Sequence, residues 1–148
     1  MIQALLTALA LLMVDAANDD REIAETYLAA YQAQDFETMH ELYAEDAHFI
    51  DPTSFDMPNI GARIEWIGPD AIIAGLSGWG VTRIDYTIAQ TYAASGRVVF
   101  QATADVVYGN GTDERVFRYP ITTIITIVDG KVAEHRDYTD FTGMTELP

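Results

Sequence analysis

The chain has 148 residues, enough for one domain with a real core, and 49% of them are hydrophobic, which excludes a disordered chain. Eight Lys plus Arg against 23 Asp plus Glu give a formal net charge of −15, which disfavours nucleic acid and anionic membrane surfaces as partners. The chain has no cysteine, which excludes disulfides, thiolate metal sites and a thiol nucleophile but leaves the compartment open.

Residues 1–16, "MIQALLTALALLMVDA", hold an uncharged apolar run from Ala4 to Val14 that suits a signal peptide and is too short to span a bilayer. Val14-Asp15-Ala16 supplies a small-residue cleavage site, and export would place the protein in the periplasm or outside the cell. The leading residues contain no Lys or Arg, so the alternative is an extra N-terminal helix on a cytoplasmic protein. Residues 17–148 form a single domain in either case.

That domain opens with a helix from about Asn18 to Gln34, whose apolar stripe runs through Ile23, Tyr27 and Tyr31. Asp35 caps a second, short helix through Phe36, Met39 and Tyr43, and a strand follows from Ala47 to Asp51. Alternation places Phe49 and Asp51 on one face of it, which sets an acid beside a phenylalanine where its charge is costly to desolvate. Residues 53–68 read as a loop, and Pro69 starts a third helix flanked by Trp66 and Trp79, which act as lid or core. Four β-rich stretches then follow at 81–93, 97–108, 115–128 and 131–139, separated by the turn signals "ASGR", "GNGTDE" and "VDGK". The expected fold is α+β, a cone-shaped, curved antiparallel sheet wrapped around the N-terminal helices with an internal pocket.

Parity sorts the later strands into faces. Phe100, Ala102, Ala104 and Val106 share one face of their strand, and Gln101, Thr103, Asp105 and Val107 the other. On the last strand His135, Asp137 and Thr139 align, opposite Arg136 and Tyr138. In "YPITTIITIV", Ile121, Thr123, Ile125 and Ile127 fall on one face, and Thr122, Ile124, Thr126 and Val128 on the other. If the second set lines the pocket, the first is an exposed apolar exterior that fits a homodimer interface. No HxH or HExxH spacing exists, so no metal site and no cofactor are expected.

The stretch "YLAAYQAQDFETMHELYAEDAHFIDP" resembles the opening of the SnoaL-like and ketosteroid-isomerase-like proteins of the nuclear-transport-factor-2-like superfamily. The hairpin "VDGKVAEHRDYTD" is similar to the superfamily's last strands, above all to the limonene-epoxide-hydrolase-like members. The resemblance covers about residues 20–141 and implies the conical fold and dimerisation through the sheet. It also implies that Asp51 stands where the ketosteroid isomerases keep their general base, and Tyr27 where they keep an oxyanion tyrosine, in a site whose carboxyl groups are tuned by their surroundings. Thr122 stands where the second oxyanion donor is an Asp. Asp105 and Asp137 match the two acids of the epoxide hydrolases, with Thr103 in place of the arginine between them. The expected site is thus Asp51, Tyr27, Asp137 and Asp105 as catalytic groups, with Thr122, Thr103, His135, Phe49 and Trp79 around the substrate. The expected activity is cofactor-free acid/base chemistry (isomerase, cyclase, dehydratase or hydrolase) on a small apolar or carbonyl-containing molecule. The alternative is a non-catalytic ligand-binding or dimerisation domain, which the missing arginine and second acid favour.

Overall fold

In a computed structural model the described residues are 19–57 and 60–148. The proposed signal segment, residues 1–16, lies outside them. Helix α1 covers residues 19–33 and buries Ala24, Tyr27, Leu28 and Tyr31, the stripe expected from its 3.6-residue period. Helix α2 (Phe36–Leu42) starts at Asp35, whose carboxylate accepts the Thr38 N–H and closes the first turn. Strand β1 (Tyr43–Asp51) follows without a loop and ends at Pro52.

The stretch expected as loop, 53–68, holds more structure than that. A 3₁₀ turn at Ser54–Asp56 leads to β2 (Ile64–Ile67), which pairs antiparallel with β1. Buried Ser54 builds this return: its hydroxyl lies 2.7 Å from both the Asp51 and the Ala62 carbonyls and accepts the Ile64 N–H at 2.7 Å. Helix α3 (Pro69–Ser77) carries Pro69 in its first turn, and a Cβ on Gly75 would collide with the Trp66 indole.

The remaining strands are β3 (Val81–Ala94), β4 (Arg97–Tyr108), β5 (Arg115–Val128), β6 (Lys131–Thr139) and β7 (Thr145–Leu147). Two of the hairpins turn on Ser95-Gly96 and Asp129-Gly130, where all four residues have positive φ, the backbone that matches strand twist in a two-residue loop. Sheet order is β2-β1-β6-β5-β4-β3, with β7 pairing the first residues of β5. The fold is α+β as expected, but the sheet is mixed because β1 lies parallel to β6. The sheet curves around α1 and α3 and does not close, leaving a cup whose wall is the concave face.

The concave side takes the more apolar parity of β4 and β5. Val98, Phe100 and Ala104 are in the core, and so are Ile125 and Ile127, with Thr123 fully buried among them. This corrects the expectation for β5: Ile121, Thr123, Ile125 and Ile127 line the inside rather than a dimer face. Thr122 lies on the convex surface, in a shallow groove with Gln101, Thr103 and Tyr138. No helix among the described residues is long and apolar enough to cross a membrane.

Candidate active site

The cup encloses a cavity of about 60 Å³, room for a few waters or one small organic molecule. Its wall is mostly apolar and aromatic, with Met57, Ile64, Ile84, Val106 and Trp79 among the lining, and two carboxyls reach it, Asp51 and Asp137. Among the described residues, no three His, Asp or Glu side chains are grouped to hold a metal ion.

Asp51 ends β1 and is 5% exposed. Its Oδ1 accepts the Thr53 N–H at 2.8 Å and the Thr53 hydroxyl at 2.5 Å, and its Oδ2 accepts the Thr139 hydroxyl at 3.0 Å. Thr53 Oγ1 in turn accepts the Thr139 N–H at 2.8 Å, so one threonine joins the end of β1 to the end of β6. Burial pushes the Asp51 carboxyl above its ordinary value, the Thr53 hydroxyl bond opposes that, and the negative charge of Asp137 adds to the rise. Asp51 is therefore neither a solvated turn acid nor a partner of Tyr27. It is a buried turn acid whose carboxyl faces a cavity.

Tyr27 lies deeper than expected. It is 0% exposed and does not line the cavity; its hydroxyl is 2.5 Å from the Tyr43 hydroxyl and 2.8 Å from His135 Nδ1. His135 Nε2 sits 3.0 Å from Asp137 Oδ1, but the approach is oblique to the ring N–H, making it a close polar contact rather than an in-line hydrogen bond. Asp137 Oδ1 also accepts the Thr123 hydroxyl at 2.6 Å, and Thr123 Oγ1 lies 2.9 Å from the Tyr86 hydroxyl. With Asp137 ionised, a lone pair on Nε2 would face a carboxylate, so the Nε2–H tautomer is selected. Nδ1 then accepts from Tyr27, and Tyr27 from Tyr43. Burial drives the Tyr27 hydroxyl well above its ordinary value, keeping it protonated and a donor.

On the α1 stripe the tyrosine that faces the cavity is Tyr31, one helical turn beyond Tyr27. Its hydroxyl has no hydrogen-bond partner among the described residues, and burial followed by the Asp137 charge holds it protonated. Sequence reasoning placed Tyr31 on the stripe without assigning it to the site. The signal was its i+4 spacing from Tyr27.

The other expected residues divide by strand face. Trp79 lines the cavity; Phe49 packs behind it, 6.1 Å from the Trp79 ring and 4.6 Å from His135. Asp105 does not reach the site. It points to the convex surface, where Arg118 clasps it with two hydrogen bonds of 2.7 Å and lowers its pKa. Thr103 and Thr122 lie on that same surface. The three are corrected together: on β4 and β5 the faces carrying Phe100 and Ile125 turn inward, because burying them outweighs any polar pair.

A profile of the SnoaL-like domain matches residues 24–135, more than half of the chain. The chain belongs to the SnoaL-like family. Curated protein sequences give no match. Solved structures similar to this SnoaL-like protein include one from Shewanella putrefaciens CN-32 provisionally assigned as a SnoaL-like polyketide cyclase, at 23% identity and TM-score 0.70, covering 83% of this chain and 80% of that one. An LEH-like epoxide hydrolase of M. tuberculosis is 19% identical with TM-score 0.66, over 86% of each chain. A protein of Catenulispora acidiphila DSM 44928 with a ketosteroid isomerase-like fold, in complex with trimethylamine, is 18% identical with TM-score 0.61, over 79% of this chain and 84% of that one. At these identities the likeness is one of fold, and this superfold carries many chemistries.

Two expectations follow for the SnoaL-like chain. Tyr27→Phe leaves His135 Nδ1 and the Tyr43 hydroxyl short of a partner in the core, so it should cost about 1–3 kcal/mol of stability in urea denaturation. A variant as stable as the parent would show that the Tyr43–Tyr27–His135 run contributes nothing to the fold. Asp51 has the sign of a raised acid: the native state holds its proton more readily than the unfolded chain, so its penalty is absent below the ordinary value of 3.8 and fully present above the folded pKa. Asp51→Asn should therefore match or exceed the parent's stability at neutral pH, with the advantage fading as pH falls below that ordinary value. Denaturation midpoints across the acid to neutral range would test this.

Proposed function

We propose that this SnoaL-like protein is a cofactor-independent acid/base enzyme acting on a small, mostly apolar carbonyl compound. The observation that carries the reading is the placing of Asp137 and Tyr31 on one small apolar cavity, each with an oxygen that no protein donor or acceptor occupies among the described residues. Asp137 is 3% exposed, and its Oδ2 is the base that removes a proton from the carbon beside the carbonyl. The Tyr31 O–H donates to the oxygen on which negative charge develops. Reprotonation at another carbon gives an isomerase, and attack of the enolate on a second carbonyl gives a cyclase; neither step consumes a cofactor. His135 is a positioning residue, holding Asp137 from behind while Tyr27 and Tyr43 hold His135.

The fold neighbours support the class without fixing the reaction. One is provisionally assigned as a cyclase and another is an epoxide hydrolase. The trimethylamine complex supports a cup of this fold that takes a small organic molecule. The cavity of about 60 Å³ favours a compact substrate over a polycyclic one. Deuterium uptake from solvent into small ketones and aldehydes, followed by NMR, tests the chemistry directly. Asp137→Asn should abolish exchange, and Tyr31→Phe should slow it by about 10²–10³-fold, the usual cost of one oxyanion donor. Exchange that survives Asp137→Asn would remove the proposed base.

The assembly we propose is a homodimer through the convex sheet face, on a different set of residues from that read in the sequence. Tyr92 and Tyr138 are exposed there at 46% and 44%, beside the partly buried Ile124 and Thr122. Sedimentation at micromolar concentration should show a dimer that Tyr138→Glu converts to monomer. A monomeric parent protein would end this proposal.

A further inference from the structure

The proposed chemistry uses Asp137 and Tyr31 and leaves Asp51 without a task. Asp51 is buried at the same cavity, with Oδ1 saturated by Thr53 and Oδ2 holding one donor, Thr139, so one acceptor direction of Oδ2 is unfilled. A second carboxyl beside a catalytic base is a liability in an apolar cup, because each charge raises the cost of the other. Nothing in the described wall offsets it: among the described residues no Lys, Arg or His lines the cavity. The nearest cationic candidate, His135, lies behind Asp137 and is already engaged with Tyr27. Six aromatic residues, Tyr31, Trp79, Tyr86, Tyr108, Tyr119 and Phe141, share the wall with aliphatic side chains and the two acids. Aromatic faces attract cations through their quadrupole, and such walls combined with a carboxylate are the chemistry that recognises ammonium groups. A neutral donor could bond the spare Oδ2 direction of Asp51, but it would leave this electrostatic bias unused.

We propose that the cavity selects ligands bearing a small alkylammonium group, which seats against Asp51 Oδ2 and the aromatic wall and leaves Asp137 Oδ2 facing the reacting carbon. The proposal rests on the reading of this cavity as the working site and adds the substrate class: an amine-bearing carbonyl compound. The incoming cation is the missing counter-charge for the pair of cavity carboxyls. The chain's net charge of −15 adds a favourable long-range field for such a ligand and a general repulsion of anions.

The test compares two probes of one shape, tert-butylammonium and tert-butanol, by calorimetric titration at neutral pH. The ammonium should bind about ten-fold or more tightly than the alcohol, and the preference should persist in high salt, where exposed charge pairs are screened. Asp51→Asn should remove the preference while leaving alcohol binding intact, and Asp46→Asn, at an exposed acid, should change neither. Met57→Lys, which tethers an ammonium at the cavity wall, should abolish binding of the free one and serves if Asp51→Asn does not fold. Equal affinity for the two probes, no binding of either, or a preference that Asp51→Asn leaves in place would overturn the proposal. The two readings fail separately. Loss of the ammonium preference with Asp137-dependent exchange intact removes only the substrate class, and absent exchange with the preference intact removes only the catalysis.

Discussion

The buried polar run from Tyr43 through Tyr27 and His135 to Asp137 joins the start of β1, the middle of α1 and the centre of β6, with the bonded Tyr27 and His135 108 positions apart in sequence. Each of these groups lies inside the core, where an unpaired hydroxyl or imidazole nitrogen costs about 1–3 kcal/mol, so the run fixes α1 in depth and rotation more tightly than apolar contact does. Its consequences spread from there. Once Tyr27 is locked onto His135, the next turn of the same helix must present Tyr31 to the cavity. Once His135 is held edge-on by Tyr27, its other nitrogen lies 3.0 Å from Asp137 Oδ1 in close polar contact. The apolar shell follows the same anchor, since Phe49, Tyr31 and Tyr27 pack around the His135 ring with centroids 4.6, 4.7 and 5.5 Å away.

The cavity carboxyls are held by hydroxyls and a backbone N–H rather than by cations. Thr53 and Thr139 serve Asp51, and Thr123 serves Asp137. A threonine donor stabilises an anion without cancelling its charge, so the cup keeps its negative field, whereas an arginine would quench it. On the convex face the opposite arrangement holds: Arg118 takes Asp105 and Arg136 takes Glu134, each through two hydrogen bonds. Cations thus neutralise acids on the convex face, while the two cavity carboxyls have no Lys, Arg or His beside them on the cavity wall among the described residues.

Much of the fold was legible because its signals are local. The Ile23–Tyr27–Tyr31 stripe, the Asp35 cap, Pro69 and the Ser95-Gly96 and Asp129-Gly130 turns each act within one turn or hairpin. What the sequence hid depends on distant partners. The parallel pairing of β1 with β6 has no local signature, and the four residues of β2 exist because Ser54 folds the chain back onto β1. At the site the errors share one cause. Alternation had already set Asp105 and Thr103 on the strand face opposite Phe100, and positional likeness to other members of the superfamily overrode it. Strands of this sheet bury whichever parity carries more apolar surface, and polar groups go where that leaves them. Thr122 follows the same rule, one residue from Thr123, which is buried and bonded to Asp137.

The two cavity acids differ in a way that divides their work. Asp51 has three donors on its two oxygens and is bolted to both β1 and β6 through Thr53, so its position cannot follow a reacting atom. Asp137 accepts its one hydrogen bond, from Thr123, on Oδ1, where His135 Nε2 is also in close polar contact, and Oδ2 has no bond to break before it takes a proton. Proton transfer rewards the second arrangement, because a base that must first release a donor pays for that release in its barrier. Fixed recognition of a charge rewards the first, because an immobile carboxylate loses no rotamer freedom when the ligand arrives. On the proposed reading, holding and reacting are divided between two residues of the same type, and the threonines decide which is which.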